Sequence, residues 1–106
     1  MGVAFGFIYM GAGYSLLANR VETRSYDGRA VFVGVGTLEE ACLAAEQMVG
    51  DGVQLIELCG AFGETGVKAV RDAVDGAVPI GHVVYGAEEK SKLERLFPNE
   101  SPAKNP

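Results

Sequence analysis

The sequence predicts an α/β protein built on a small, mostly parallel sheet of about five strands. From residue 30 onward, apolar runs and amphipathic segments follow in the order strand, helix, strand, helix, strand, which requires parallel strands joined by crossover helices. Before residue 30, two strand-like segments flank Asp27-Gly28, a two-residue hairpin signal. The expected architecture is a β-α-β-α-β core with a β-hairpin at the edge of the sheet.

The first half of the chain supplies three strands and a helix. Residues 3–10 are apolar at both odd and even positions, which is typical of a central strand covered on both faces. Residues 11–18 predict a turn with at most a short helix, and residues 20–26 alternate charged with uncharged side chains as an edge strand does. Residues 30–35 form the next strand. Thr37 and Glu40 then make a capping box that starts a helix, which ends at Gly50-Asp51-Gly52.

The second half continues the alternation. Residues 53–59 predict a strand, residues 65–74 a helix that Gly76 caps, and residues 80–85 the last strand. Residues 87–97 predict a closing amphipathic helix. Its side chains expected to face inward are Leu93, Leu96 and Phe97. Residues 1–97 are therefore expected to form one domain, and the polar, proline-containing residues 98–106 a disordered tail.

The two crossovers run in one direction, so both helices should cover the same face of the sheet. Little remains in the chain to cover the other face, and a second subunit is expected there, as in a homodimer or other homo-oligomer. The alternative architecture is a ferredoxin-like α+β fold. It fits the order strand, short helix, strand, strand, helix, strand over the first 59 residues.

Composition excludes several classes of function. The net charge is −5 and no basic cluster is present, which argues against a nucleic acid or an anionic membrane as partner. The uncharged first nineteen residues contain glycines, and Arg20 follows too soon for a membrane span. Two cysteines without paired spacing predict free thiols in the cytoplasm. One histidine and two distant cysteines predict no metal site, and we expect no cofactor.

A ligand site is expected at the carboxyl edge of the sheet, where ligands of open parallel sheets bind. Each of the four strand ends expected there carries a glycine. The loop Gly60 to Gly66 leads into a helix, whose N-terminal amides favour an anion. In the structural alternative these glycines only permit a tight turn, and Glu64 would repel an anion. The expected ligand-binding residues are Tyr9, Gly60, Phe62, Gly63, Thr65, Gly66 and Tyr85.

Glu57 is the best candidate for an acid or base, because it lies in an apolar strand where a carboxylate is costly to bury without a partner. The alternative is a structural ion pair with Arg20, Arg24 or Lys68, or across a subunit boundary. Cys59 ends the same strand beside a helix N-terminus, a setting that can activate a thiol, although a buried inert cysteine is the alternative.

His82 is the only histidine, and it shares a strand face with Ile80. If the fourth and fifth strands are adjacent, His82 and Glu57 could pair across them as acid and base. The alternative is a core histidine with its hydrogen bonds satisfied. Cys42 falls in the apolar stripe of the first helix, which predicts core packing.

The segment Ile56-Glu57-Leu58-Cys59-Gly60, with Phe62 and Gly63 after it, resembles a family of short bacterial proteins classed only as a domain of unknown function. Val33-Gly34-Val35 before Leu38-Glu39-Glu40-Ala41, Val78-Pro79 and Gly81 also match. The similarity runs from Phe5 to about Gly86. It implies that Glu57, Cys59, Gly60 and Gly63 belong to a family motif, and it implies no activity.

Two functions remain open on these residues. The first is a protein that binds a small polar or anionic metabolite at the carboxyl edge of its sheet. As an enzyme it would be a cofactor-free isomerase or lyase, with Glu57 as acid or base and His82 or Cys59 as its partner. The second is a non-catalytic oligomer whose apolar face is an interaction surface. The stability of Glu57 variants would separate the two.

Overall fold

The computed structural model describes residues 2–97, so the predicted tail at 98–106 lies outside the described residues. It contains a five-stranded sheet in the order β2-β3-β1-β4-β5 and three α-helices. The elements are β1 (Val3–Met10), β2 (Arg20–Ser25), β3 (Gly28–Val35), α1 (Leu38–Gly50), β4 (Leu55–Leu58), a 3₁₀ turn (Gly60–Phe62), α2 (Gly63–Ala73), β5 (Ile80–His82) and α3 (Ala87–Leu96). None of the helices within residues 2–97 has the length and apolar character that a membrane crossing requires.

The strand pairing confirms the α/β class. β1 lies at the centre and pairs in parallel with β3 on one side and β4 on the other. β4 also pairs in parallel with β5, while β2 pairs antiparallel with β3 through the predicted hairpin. The ferredoxin-like alternative is wrong, because its sheet would be antiparallel and because the residues between β1 and β2 form turns instead of a helix.

The core lies on one side of the sheet, as the crossover argument predicts. Side chains from alternate positions of the three central strands point to that side and pack against α1 and α2. The largest fully buried side chains of the core, from the strands, the 3₁₀ turn and α2, are Phe62, Ile8, Ile56, Leu58, Val35 and Val70. Gly6 lets α1 approach β1, since a Cβ at this position would lie 2.6 Å from Sδ of Met48. Both helices therefore cover a single face.

The start of α1 confirms half of the predicted capping box. Oγ1 of Thr37 accepts a hydrogen bond from the backbone N–H of Glu40 at 3.1 Å. The carboxylate of Glu40 does not return this bond to Thr37. Its Oε1 instead accepts from the backbone N–H of Gly36 at 3.0 Å and of Leu16 at 3.3 Å. Glu40 thus ties the loop after β1 to the first turn of α1.

Replacing Glu40 with alanine is expected to lower the free energy of unfolding by about 1 to 3 kcal/mol, because two partly buried amides lose their acceptor. Glu39→Ala is the matched control. It removes the same charge from the same helical turn, but Glu39 is exposed and accepts no such bond. Urea unfolding of both variants measures the difference. Equal losses of stability in the two variants would mean that Glu40 acts only through its charge near the N-terminus of α1, and not through its two hydrogen bonds.

Several boundaries differ from the prediction. α2 starts at Gly63 instead of residue 65, and β4 and β5 are shorter than their apolar runs. α2 ends before Gly76, because Asp75 and Gly76 both adopt left-handed backbone, with φ of 53° and 71°. Asp tolerates this region better than most side chains. The helix therefore ends at the cap residue Val74 with Asp75 as the first left-handed residue, one position before Gly76, which the sequence predicted as the cap.

α3 forms as predicted, but it does not pack against the rest of the chain as predicted. None of its residues is buried. Leu96 is 70% exposed and the following Phe97 is 48% exposed, so the prediction that they face inward is wrong. Six of the ten residues of α3 are charged, which leaves too narrow an apolar stripe to hold the helix against the sheet. The apolar residues of α3 remain accessible in the single chain.

Candidate functional site

One face of the sheet carries no described helix, and we call it the open face. Its residues follow from the alternation of side chains along paired strands, since α1 and α2 pack on the opposite side. They are Val3, Phe5, Phe7, Tyr9, Val21, Thr23, Ser25, Gly28, Ala30, Phe32, Gly34, Leu55, Glu57 and Gly81. Glu57 is the one charged residue among them. The open face is therefore an apolar, aromatic surface with a single carboxylate.

The strand register aligns five of these residues in one row. Val21 pairs with Phe32, Phe32 with Phe7, Phe7 with Glu57, and Glu57 with Gly81. The row crosses all five strands, and its two phenylalanine rings lie 6.2 Å apart between centroids. On the far side of Glu57, Gly81 offers no side chain. The carboxylate thus stands between an aromatic ring and an open space over β5.

Tyr9 extends the aromatic surface towards the carboxyl edge. Its ring covers Gly34, where a Cβ would lie 2.6 Å from the tyrosine ring. It also meets Tyr14 edge to face, with 5.0 Å between the ring centroids. Tyr14 lies in the loop after β1 and is 44% exposed. Tyr9 is therefore held in place two residues beyond Phe7, on the face that carries Glu57.

Glu57 is exposed, contrary to the expected burial in an apolar strand. Within the described residues its carboxylate makes no ion pair. The expected cations have other partners, since Arg20 and Arg24 bind Glu22, at 3.3 and 2.6 Å, and Lys68 binds Asp72 at 2.8 Å. All charged residues of β2 point to the helix side, whereas Glu57 points to the open face. An ion pair of Glu57 within the described chain is therefore ruled out.

His82 does not meet Glu57. The two strands are adjacent as expected, but the register pairs Glu57 with Gly81 and His82 with Leu58. Paired residues of parallel strands share a face, so His82 lies on the helix side with Leu58 and Ile80, and Glu57 lies on the opposite face. The proposed acid–base pair is wrong by one residue of register. The core-histidine alternative is also wrong, because His82 is exposed.

Cys59 follows β4 at the carboxyl edge of the sheet. Its Sγ accepts a hydrogen bond from the backbone N–H of Met10 at 3.4 Å, and its side chain packs against the core. The thiol therefore completes the hydrogen bonding at the end of β1 and is not presented on the open face beside Glu57. Its expected catalytic role stays a prediction.

Cys42 lies where α1 meets α2, as the core-packing prediction requires. Its Sγ donates to the carbonyl oxygen of Ala69 at 3.7 Å. Burial, together with the carboxylates of Glu46 and Glu39, raises the pKa of the Cys42 thiol. The raised pKa favours the protonated thiol over the thiolate, which is the nucleophilic form. Cys42 and Cys59 are both free.

The glycine-rich segment after β4, residues 60–66, contributes to the packing of the core. Phe62 is fully buried, and a Cβ on Gly66 would lie 3.2 Å from Cβ of Phe62. These two predicted ligand-binding residues therefore belong to the core, and Phe62 cannot contact a ligand. Gly63 has a φ of 63°, which the turn into α2 requires, and Thr65 is exposed on α2.

The remaining predicted residues meet at the edge. A Cβ on Gly60 would lie 3.6 Å from Cε1 of Tyr85, so the tyrosine ring lies over this glycine. Two depressions described on the surface lie elsewhere, one between α1 and the start of β2, the other at the amino end of β1 and β3. Among residues 2–97, no group of three or more His, Cys, Asp or Glu side chains could hold a metal ion.

Sequence reasoning missed Phe7, Phe32, Val21 and Gly81 as neighbours of Glu57. Each residue could be recognised as part of a strand, but their common row depends on four strand registers at once. The alternation of β2 carried a partial signal, because its charged residues all fall on one side. This pattern indicated that the other side of the sheet is apolar.

The fold and the open face together define the class of protein. It is an α/β protein in which α1 and α2 cover one side of a mixed sheet, and the other side is apolar with a single carboxylate. Residues 3–98 match the model of a family of unknown function, DUF6506. The chain belongs to that family, which confirms the resemblance to a domain of unknown function. Searches among curated proteins and among solved structures found no match.

Proposed function

We propose that this protein binds a small polar metabolite on the carboxyl half of the open face, with Glu57 as the group that exchanges a proton with it. One observation carries the proposal: Glu57 is the one charged side chain among the described strand residues of an apolar, aromatic face. A carboxylate without a partner on such a surface has both oxygens available to accept hydrogen bonds.

The surroundings of Glu57 favour one type of ligand. The strands of the open face carry no Lys, Arg or His side chain that could neutralise an anion. The N-terminus of α2, where the sequence predicted an anion site, carries Glu64 in its first turn. This second carboxylate also disfavours an anionic ligand. A ligand with an N–H, O–H or ammonium group for Glu57 and a flat body for Phe7 and Tyr9 is complementary to this surface.

The compatible reaction is a proton transfer without a cofactor, as in an isomerase or lyase. Glu57 accepts a proton from the ligand and, in an isomerisation, returns it at another atom, so that no oxidant or reductant is consumed. The ring of Tyr9 lies over Gly34 of β3, so Tyr9 contributes aromatic surface and not a hydroxyl group beside Glu57. His82 takes no part, since it lies on the other side of the sheet. With two free thiols, we place the protein in the cytoplasm.

The proposal is tested with two matched probes, benzylamine and benzoate, which share an aromatic ring and differ in charge. We expect benzylamine to shift the amide NMR signals of Phe7, Tyr9, Glu57 and Gly81, and benzoate to shift them much less. Glu57→Gln keeps the shape and removes the charge, and it should weaken benzylamine binding by about tenfold or more.

Glu64→Gln is the control, because it removes an exposed carboxylate from α2 and leaves the open face unchanged. Its benzylamine binding should equal that of the natural chain. Binding that survives Glu57→Gln would contradict the role of Glu57. Shifts caused by benzoate alone, around the start of α2, would favour the anion site at the glycine-rich segment instead.

The second candidate is a non-catalytic interaction protein, and the apolar character of the open face favours it. In that case Glu57 has no ligand, and neither probe should shift the signals of the open face. The two functions therefore give opposite results in the same titration.

A further inference from the structure

We infer that the open face binds the open face of a second copy of this chain. The inference goes beyond the proposed metabolite site and does not require it. It rests on the size of the uncovered surface, its composition, and the inability of α3 to cover it.

The open face has the size of a stable interface. β1 and β3 have eight residues each, β2 six, β4 four and β5 three, which at about 3.3 Å per residue and 4.8 Å between strands gives roughly 460 Å² in projection. Side chains that protrude from the strands make the accessible surface larger than this projected area, and stable complexes bury about 600 to 1,000 Å² of accessible surface per partner. A partner that covered the whole face would thus bury an interface at the lower end of the standard range.

The composition suits a self-complementary contact. Phenylalanine and tyrosine, which are enriched at protein interfaces, form the middle of the face. The chain carries a net charge of −5, so most of its surface would repel a second copy, but the open face presents only Glu57. Val21, 57% exposed beside Phe32, extends the apolar area to the edge strand. A two-fold pair can therefore meet here with little charge repulsion.

The chain cannot cover this face with its own described helix. α3 has ten residues, so it is about 15 Å long and about 10 Å wide, and it would cover roughly a third of the face. Six of those residues are charged, and none is buried in the structure. A second copy offers a surface of matching size and character, and α3 does not.

Val21→Glu tests the interface, and Leu43→Glu is its matched control. Val21 lies on the open face, and Leu43 lies on α1 on the opposite side. They are exposed to nearly the same extent, 57% and 52%, so neither change should disturb the folded subunit. Sedimentation velocity over a dilution series should give twice the chain mass of 11.1 kDa for the natural chain and for Leu43→Glu.

Val21→Glu should weaken the dimer on the order of 100-fold or more, because each interface would then bury two additional unpaired charges. Thr23→Glu, also exposed on the open face, should act in the same way and guards against a folding defect of one variant. A monomeric natural chain would overturn the inference, and so would a dimer that survives both open-face changes or is lost in Leu43→Glu.

The proposed metabolite site and the inferred dimer can each be rejected without rejecting the other. A second copy on the open face would cover Glu57, so benzylamine binding is measured on the Val21→Glu chain, whose open face is free. Glu57→Gln should remove benzylamine binding there, and in the natural chain it should not weaken the dimer, because it takes an unpaired carboxylate out of the interface. A dimeric natural chain whose Val21→Glu variant binds no benzylamine would retain the interface and reject the proposed ligand, and a monomeric natural chain that binds benzylamine would do the reverse.

Discussion

Replacing Phe62 with alanine is expected to lower the free energy of unfolding by about 3 to 5 kcal/mol, the range for a buried phenylalanine. Phe62 is fully buried at the turn into α2 and packs against Gly66. A domain of this size has about 5 to 15 kcal/mol in total, so the variant should lose a large fraction of its stability. Guanidinium unfolding at fixed protein concentration measures the loss.

Phe97→Ala provides the control, since it makes the same chemical change at a side chain that is 48% exposed. It should alter stability by no more than about 0.5 kcal/mol. Phe62→Leu should fall between the two, because it removes only part of the buried side chain and leaves a smaller cavity. If Phe62→Ala were as stable as Phe97→Ala, the ring would not be in the core and its expected role as a ligand contact would be restored.

Leu58→Ala is expected to cost about 2 to 5 kcal/mol, while Glu57→Ala should cost nothing or slightly stabilise the chain. The two residues are neighbours on β4 and point to opposite faces. Leu58 is fully buried under the helices, and Glu57 is exposed without an ion pair in the described residues. Thermal unfolding of both variants measures the contrast.

This pair of variants also tests the register of β4. A shift by one residue would exchange the faces of Glu57 and Leu58, and the two costs would exchange with them. Equal, large losses for both variants would mean that Glu57 has a structural partner, as the ion-pair alternative held. The structure places no cation of the described chain near enough to be that partner.

The order and type of the elements could be predicted because each rests on a local pattern. The N-cap at Thr37 and the Asp27-Gly28 hairpin each depend on only a few neighbouring residues, and both appear in the structure. The parallel topology followed from the alternation of strands and helices. The uncovered face followed from counting the helices available to cover it.

The composition of the candidate site could not be predicted in the same way. Whether Glu57 meets His82 or Gly81 depends on a shift of one residue between two strands, and no local pattern in either strand encodes it. The burial of Phe62 depends on how α2 packs against the sheet. Residues far apart in the chain determine the strand register and the burial of Phe62. The position of the site in the fold was therefore predictable, whereas the residues that form it were predictable only in part.

The central position of β1 has a consequence for how the chain is made. β1 precedes the other described strands in the chain, yet its neighbours are β3 and β4, and Phe5 meets its partner Leu55 only after the residues up to β4 have been made. Contacts of such long sequence separation form slowly. Until β3 has been made, an uncharged strand of eight residues has no partner, the kind of segment that aggregates. During synthesis, the most vulnerable part of this protein is the part that later becomes the middle of its sheet.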